Sequence, residues 1–210
     1  MPHLQIDAAA CTQADLAPAV AWLREGRVVA FPTDTSYGLA ADPASAIAVQ
    51  AVFDVKARPE GMALPLIAAG LAQVESLCGP VSGRSARLAG RFWPGPLSLV
   101  LDAPATVASA VTGGHGSIAI RVPAHPVARL LCEAWGGPLT ATSANRSGAP
   151  EAVTPGELGA LLTDARVLVL DAGPAPGGSP STIVDARGAA IRLVRAGAIA
   201  WDRVLRSLDE

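Results

Sequence analysis

Short apolar runs alternate with segments of helical periodicity along nearly the whole chain, and that alternation limits the fold class. The runs are Arg27–Phe31, Leu64–Ala68, Leu97–Leu101, Ser117–Val122, Leu139–Thr142 and Val167–Leu170. They are strand-length and rich in Val, Ile and Leu. Between them lie amphipathic stretches with start and stop signals. Asp15 reads as an N-cap, with Pro18 in the first turn, Gly26 as the stop, and Leu16, Val20 and Leu23 on the buried face. A second helix starts near Ser45, turns Val49, Val52 and Phe53 inward and ends before Pro59. Leu71–Leu77, Gly83–Phe92 and His125–Trp135 follow, the last with Pro126 at its first position. Thr154-Pro155-Gly156-Glu157 has the form of a capping box. Thr182–Asp185 and Ala190–Arg195 read as paired strands around Arg187-Gly188. Trp201, Val204, Leu205 and Leu208 mark a last helix. Half of the 210 residues are hydrophobic, which suffices for one sizeable core. The expectation is one α/β domain built on a twisted mixed sheet flanked by helices.

One connection is unusual. After Arg27–Phe31 the chain reads Pro32-Thr33-Asp34-Thr35-Ser36-Tyr37-Gly38. Five consecutive side chains offer hydrogen-bonding groups at the end of a buried strand, where open α/β sheets place their ligands. The plain alternative is a turn in which Thr and Asp bond their own backbone.

Charge and cysteine usage exclude several classes. The formal net charge is −2, against the basic excess of a dedicated nucleic-acid binder. No apolar run approaches a membrane span, and the first residues lack a signal-peptide pattern, so a cytoplasmic location is expected. Cys11, Cys78 and Cys132 are odd in number and far apart, which predicts reduced thiols. His3, His115 and His125 have no metal-ligand spacing, and no protein-held metal site is expected.

Four groups of polar residues carry possible chemistry. Lys56 is the chain's only lysine, in Lys56-Ala57-Arg58-Pro59, and its retention points to a need for a compact ammonium. A point charge beside a planar fork suits a polyphosphate, although cations also favour a helix C-terminus. Ser143-Ala144-Asn145 follows an apolar strand and precedes Ser147-Gly148, suited either to a ligand or to a turn. Arg121 and Arg195 each sit inside apolar strands, where an arginine either finds an anionic partner if it is buried or faces solvent at the strand end. Trp93-Pro94-Gly95-Pro96 reads as a structural turn. There is no Walker loop, dinucleotide fingerprint or nucleophile triad. An enzyme with these residues works by positioning and charge stabilisation, as in reactions at phosphorus.

Taken together the chain resembles the YrdC-type threonylcarbamoyl-AMP synthase family over about residues 14–199. The carrying segments are F-P-T-D-T-S-Y-G-L (31–39), K-A-R-P (56–59), W-P-G-P-L-S-L-V-L (93–101), I-A-I-R-V-P-A-H-P (118–126), T-S-A-N-R-S-G (142–148), S-T-I-V-D (181–185) and R-A-G-A-I (195–199). The resemblance implies a single domain with a concave active-site cleft. It implies synthesis of threonylcarbamoyl-AMP from L-threonine, bicarbonate or CO2, and ATP with Mg²⁺, releasing pyrophosphate. The product would pass to the threonylcarbamoyl-transferase machinery that modifies tRNA. Direct tRNA contact is not required.

By the same resemblance, Thr35, Arg58, Arg121 and Ser181 surround threonine or its carbamate. Lys56, Arg58, Ser117, Ser143, Asn145 and Arg195 surround ATP, with Lys56 and Arg58 catalytic. The chain departs from the family at Met62, where members often carry Asn or Lys, and at Ile67, where some carry His. The extra C-terminal domain of longer members is expected to be absent. Two other readings compete. One is an RNA-binding or ribosome-maturation module, which the net charge disfavours. The other is a carbamoyl-adenylate domain of the hydrogenase-maturation kind.

Overall fold

The computed structural model of the chain describes residues 2–59 and 61–209. Its strands are β1 (His3–Gln5), β2 (Val28–Pro32), β3 (Tyr37–Ala40), β4 (Leu66–Ile67), β5 (Leu97–Asp102), β6 (Ser117–Arg121), β7 (Leu139–Thr140), β8 (Thr142–Ser143), β9 (Val167–Asp171), β10 (Thr182–Asp185) and β11 (Arg192–Arg195). Its helices are α1 (Ala17–Arg24), α2 (Ala46–Lys56), α3 (Leu71–Cys78), α4 (Gly83–Phe92), α5 (Ser109–Thr112), α6 (Pro126–Trp135) and α7 (Trp201–Asp209), with a 3₁₀ segment at Pro155–Thr163.

The mixed α/β architecture is as expected, but the strands form two sheets. The first runs β1-β9-β2-β3-β8 and the second β11-β10-β5-β6-β4-β7. Both are mixed: β2 runs parallel to β9 and antiparallel to β3, and β5 runs parallel to β10 and antiparallel to β6. The apolar run expected as one strand at Leu139–Thr142 joins them. Ala141 interrupts it, so β7 pairs with β4 in the second sheet while β8 pairs with β3 in the first. The Ala141 N–H still follows the β4 register, donating to Pro65 O at 2.8 Å, before the chain passes to β3.

Period-two alternation explains the layers. Val28 and Ala30 of β2 face the cluster that holds Val49, Val52 and Phe53 of α2, with Ile118 and Ile120 of β6. Val29 and Phe31 face the opposite side, onto Leu16 and Leu23 near α1 and Leu131 of α6. Leu97 and Leu99 of β5 turn toward Leu88 of α4 and Val204 of α7. β2 is therefore covered on both faces, which is why it reads as an unbroken apolar run.

Local signals were met unevenly. Ser45 caps α2, its Oγ accepting from Ala48 N at 3.2 Å. Asp15 instead accepts from Thr12 N and Oγ1, and Leu16 occupies the N-cap of α1. The Glu157 carboxylate accepts from Val153 N, not Thr154 N, and the segment it opens is 3₁₀. The Leu64–Ala68 run contributes only Leu66–Ile67, because Pro65 has no N–H to pair. Among the described residues no helix is long and apolar enough to cross a membrane.

Candidate active site

A cleft of about 610 Å³ takes its walls from both sheets. The β2–β3 turn and β8 supply Thr35 and Ser143. β5, β6 and β10 and the residues flanking them supply Ser98, Ser117, Arg121 and Ser181, and β11 supplies Arg195. Arg58 enters just past α2. The structure thus gathers seven of the nine sequence-derived site residues at one cleft. Lys56 and Asn145 are not on its lining; they stand behind the Ser143 wall.

The β2–β3 turn serves two purposes. Thr33 builds it, its Oγ1 donating to Ser36 O at 2.7 Å and accepting from Thr35 N at 3.1 Å. The turn so fixed presents Thr35 and Asp34 to Arg121. Arg121 Nη1 donates to Asp34 Oδ1 at 2.6 Å, and Nη2 lies 3.3 Å from Thr33 Oγ1 and 3.5 Å from Thr35 Oγ1. The buried arginine thus has the anionic partner its strand context demanded. Burial lowers the Arg121 pKa, and the Asp34 carboxylate works against that. Sequence reasoning did not assign Asp34 a role, since nothing local ties a turn aspartate to an arginine 87 positions away.

On the opposite wall Arg195 Nε and Nη2 donate to Ser181 O at 3.1 and 2.7 Å, and Nη2 also reaches Ser181 Oγ at 2.9 Å. Ser181 Oγ lies 3.0 Å from Ser98 Oγ, a member of the site that spacing gave no reason to choose. Arg58 Nη2 donates to Ala63 O at 3.0 Å. Neither Arg58 nor Arg195 has a carboxylate partner among the described residues, whereas Arg187 and Arg192 are both paired with Asp185. Burial lowers the pKa of Arg58 and of Arg195. Arg58 is half-buried, whereas β11 is exposed along its length and Arg195 with it, so of the two alternatives Arg195 is the solvent-facing arginine, not the interior one. Two guanidinium groups without a bonded carboxylate on one cleft favour an anionic ligand.

Lys56 is 1% exposed at the end of α2. Its ammonium donates to Ser143 O, to Asn145 O at 2.8 Å and to Asn145 Oδ1 at 2.9 Å. These contacts use all three of its donors. Asn145 Oδ1 also accepts from Ser143 Oγ at 2.7 Å. Burial lowers the Lys56 pKa to about 8; the Arg58 charge adds to this and Glu151 opposes it. The lysine acts on the cleft through the Ser143–Asn145 segment. Ala57 makes the geometry possible by taking the left-handed region (φ 48°, ψ 44°), which turns the chain so that Arg58 reaches the cleft. Met62, at the departure from the family pattern, is 48% exposed.

Comparison with known proteins bears on this arrangement. The Sua5/YciO/YrdC family model, described as "Telomere recombination", matches residues 21–197. A threonylcarbamoyl-AMP synthase of Bacillus subtilis (strain 168) is 39% identical over 191 residues, covering 90% of this chain and 55% of that protein. A putative threonylcarbamoyl-AMP synthase of Mycobacterium leprae is 38% identical over 198 residues, covering 92% of this chain and 87% of the relative. The crystal structure of P. abyssi Sua5 complexed with L-threonine superposes with a TM-score of 0.90 at 32% identity, covering 99% of this chain and 60% of that one. The chain therefore spans little more than half the length of some relatives and most of others. The residues that line the cleft fall in the matched segment, and the chain belongs to the Sua5/YciO/YrdC family.

Proposed function

We propose that the chain makes L-threonylcarbamoyl-AMP from L-threonine, bicarbonate or CO2, and ATP, releasing pyrophosphate. The observation that carries this reading is that, of the five arginines lining the cleft among the described residues, three (Arg58, Arg121 and Arg195) are not paired with Asp185. Arg121 is held by Asp34 beside the Thr35 hydroxyl, while Arg58 and Arg195 have no carboxylate partner among the described residues. Relatives named threonylcarbamoyl-AMP synthase and a threonine complex of a structural neighbour support the same assignment. A cleft of about 610 Å³ is in the range that holds a nucleotide and a small co-substrate.

In this reading Arg121 takes the threonine carboxylate, with Thr35 and Ser181 near the amino acid or its carbamate. The threonine amine captures CO2 to give an N-carboxylate. That oxygen attacks the α-phosphorus of ATP, supplied as its magnesium complex, and pyrophosphate leaves. Both reactants are anions, so positioned cations lower the barrier by offsetting their repulsion. Arg58 lies between carbamate and phosphates, and Arg195, Ser117 and Ser143 line the nucleotide's side. Lys56 and Asn145 keep the Ser143 segment in place. No protein nucleophile is required. The product supplies a threonylcarbamoyl transferase acting on tRNA, in the cytoplasm.

The test is pyrophosphate release from ATP with each component omitted in turn. Release is expected only when threonine and bicarbonate are both present. Release without threonine, or dependence on carbamoyl phosphate, contradicts the proposal. Intact ATP under every condition with RNA bound favours the RNA-binding alternative.

A further inference from the structure

The geometry points to Glu151 as the acceptor for the amino nitrogen of the amino-acid substrate, an inference that rests on the threonine reading above. A free amino acid brings a carboxylate and an ammonium on the same carbon. The arginines answer the first; the second needs a carboxylate nearby. Among the described residues, three carboxylates stand on or beside the cleft. Asp34 gives Oδ1 to Arg121, and its Oδ2, though unpartnered, is buried off the cleft lining; Asp185 is taken by Arg187 and Arg192. Glu151 has no ion pair among the described residues.

Its position fits the task. Glu151 Oε2 accepts from Ser36 Oγ at 2.7 Å, which leaves Oε1 for a ligand. Ser36 directly follows Thr35, whose Oγ1 lies 3.5 Å from Arg121 Nη2. One turn therefore connects the proposed carboxylate receptor to Glu151. The backbone beside Glu151 is fixed as well: Ala152 O accepts from Tyr37 N at 2.8 Å, and Val153 N donates to Glu157. The negative charge of Glu151 is felt by Lys56, Arg121 and Arg195 together, as a carboxylate among the cleft's cations must be.

The contact survives the reaction. The ammonium gives up one proton to solvent before its lone pair attacks CO2 and a second as the N-carboxylate forms; the one N–H that remains still donates to the carboxylate. Glu151 therefore selects an amino over a hydroxy acid, and it need not accept a proton. A hydrogen bond to a charged group of this kind is worth roughly tenfold or more in affinity.

The test compares two ligands by titration calorimetry on the intact chain: L-threonine and 2,3-dihydroxybutanoate, which replaces the amine with a hydroxyl. Glu151→Gln is expected to weaken threonine at least about tenfold and to leave dihydroxybutanoate within about twofold. Glu151→Asp should recover part of the threonine affinity. Equal threonine affinity in wild type and Glu151→Gln overturns the inference, as does a parallel loss of both ligands, which marks a structural role. A wild-type chain that binds ATP but not threonine overturns the threonine reading itself, and this inference with it.

Discussion

The ammonium of Lys56 holds two oxygens of one residue, Asn145 O at 2.8 Å and Asn145 Oδ1 at 2.9 Å. With Ser143 O as the third acceptor, the last side chain of α2 locks the segment that carries Ser143 onto the cleft. The chain's only lysine is thus a buried tie between a helix end and a wall of the active site.

An arginine cannot repeat that tie, because a planar fork spreads its donors where a point charge converges them. Lys56→Arg is expected to fold and to lower turnover at least about tenfold, or some 1.4 kcal/mol of transition-state stabilisation. Steady-state kinetics beside a melting curve check it. Near-normal turnover in the folded variant contradicts the role.

Asp34 is expected to act through Arg121. Asp34→Asn keeps the shape but removes the charge that fixes Nη1. It should reduce kcat/KM for threonine by about tenfold to a hundredfold while changing ATP affinity little. A double-mutant cycle with Arg121→Lys should be clearly non-additive, since the two side chains share one interaction.

Asp185 governs acid stability. Hydrogen bonds from Arg187, then Arg192, hold its pKa well below the usual 3.8. The folded pKa is depressed, so the unfolded chain binds more protons in acid. The contribution is complete above about pH 4 and is lost as the pH falls further. Urea unfolding should show Asp185→Asn less stable by about 1–3 kcal/mol at pH 7, with the gap closing toward pH 2. A constant gap across that range contradicts the linkage.

Much of this architecture was legible because its causes are local. The apolar run of β2, the Ser45 cap and the hairpin around Arg187-Gly188 need only neighbouring residues. β1 was missed: it is three residues long, mostly exposed and defined only by pairing with β9. β3 was missed because Tyr37-Gly38 looked like turn chemistry, yet Gly38 pairs with Phe31. The division into two sheets depends on Ala141, where no local signal marks a strand changing partners. In the site, residue types that bind anions could be read off, but Asp34 and Glu151 gain their meaning from partners far along the chain.

Gly197 shows another such dependence. A Cβ there would lie 2.2 Å from Pro180 O and 2.5 Å from Ser181 C. The 195–199 segment packs on the 180–182 backbone, which keeps Arg195 bonded to Ser181. Gly197→Ala should cost about 1–3 kcal/mol of stability and weaken nucleotide binding. Gly137→Ala, whose added Cβ meets nothing nearer than 4.0 Å, serves as the control. Thermal melts and ATP titration of both variants distinguish steric displacement from a general intolerance of alanine.

The most direct test of the central claim follows the carbon. The chain is incubated with ATP, Mg²⁺, L-threonine and ¹³C-bicarbonate, and the nucleotides are analysed at once by mass spectrometry. The account predicts an AMP ester of N-carboxythreonine that carries the labelled carbon, and its loss when threonine or ATP is withheld. A folded, ATP-binding chain that yields no such nucleotide, or one without the label, contradicts the account.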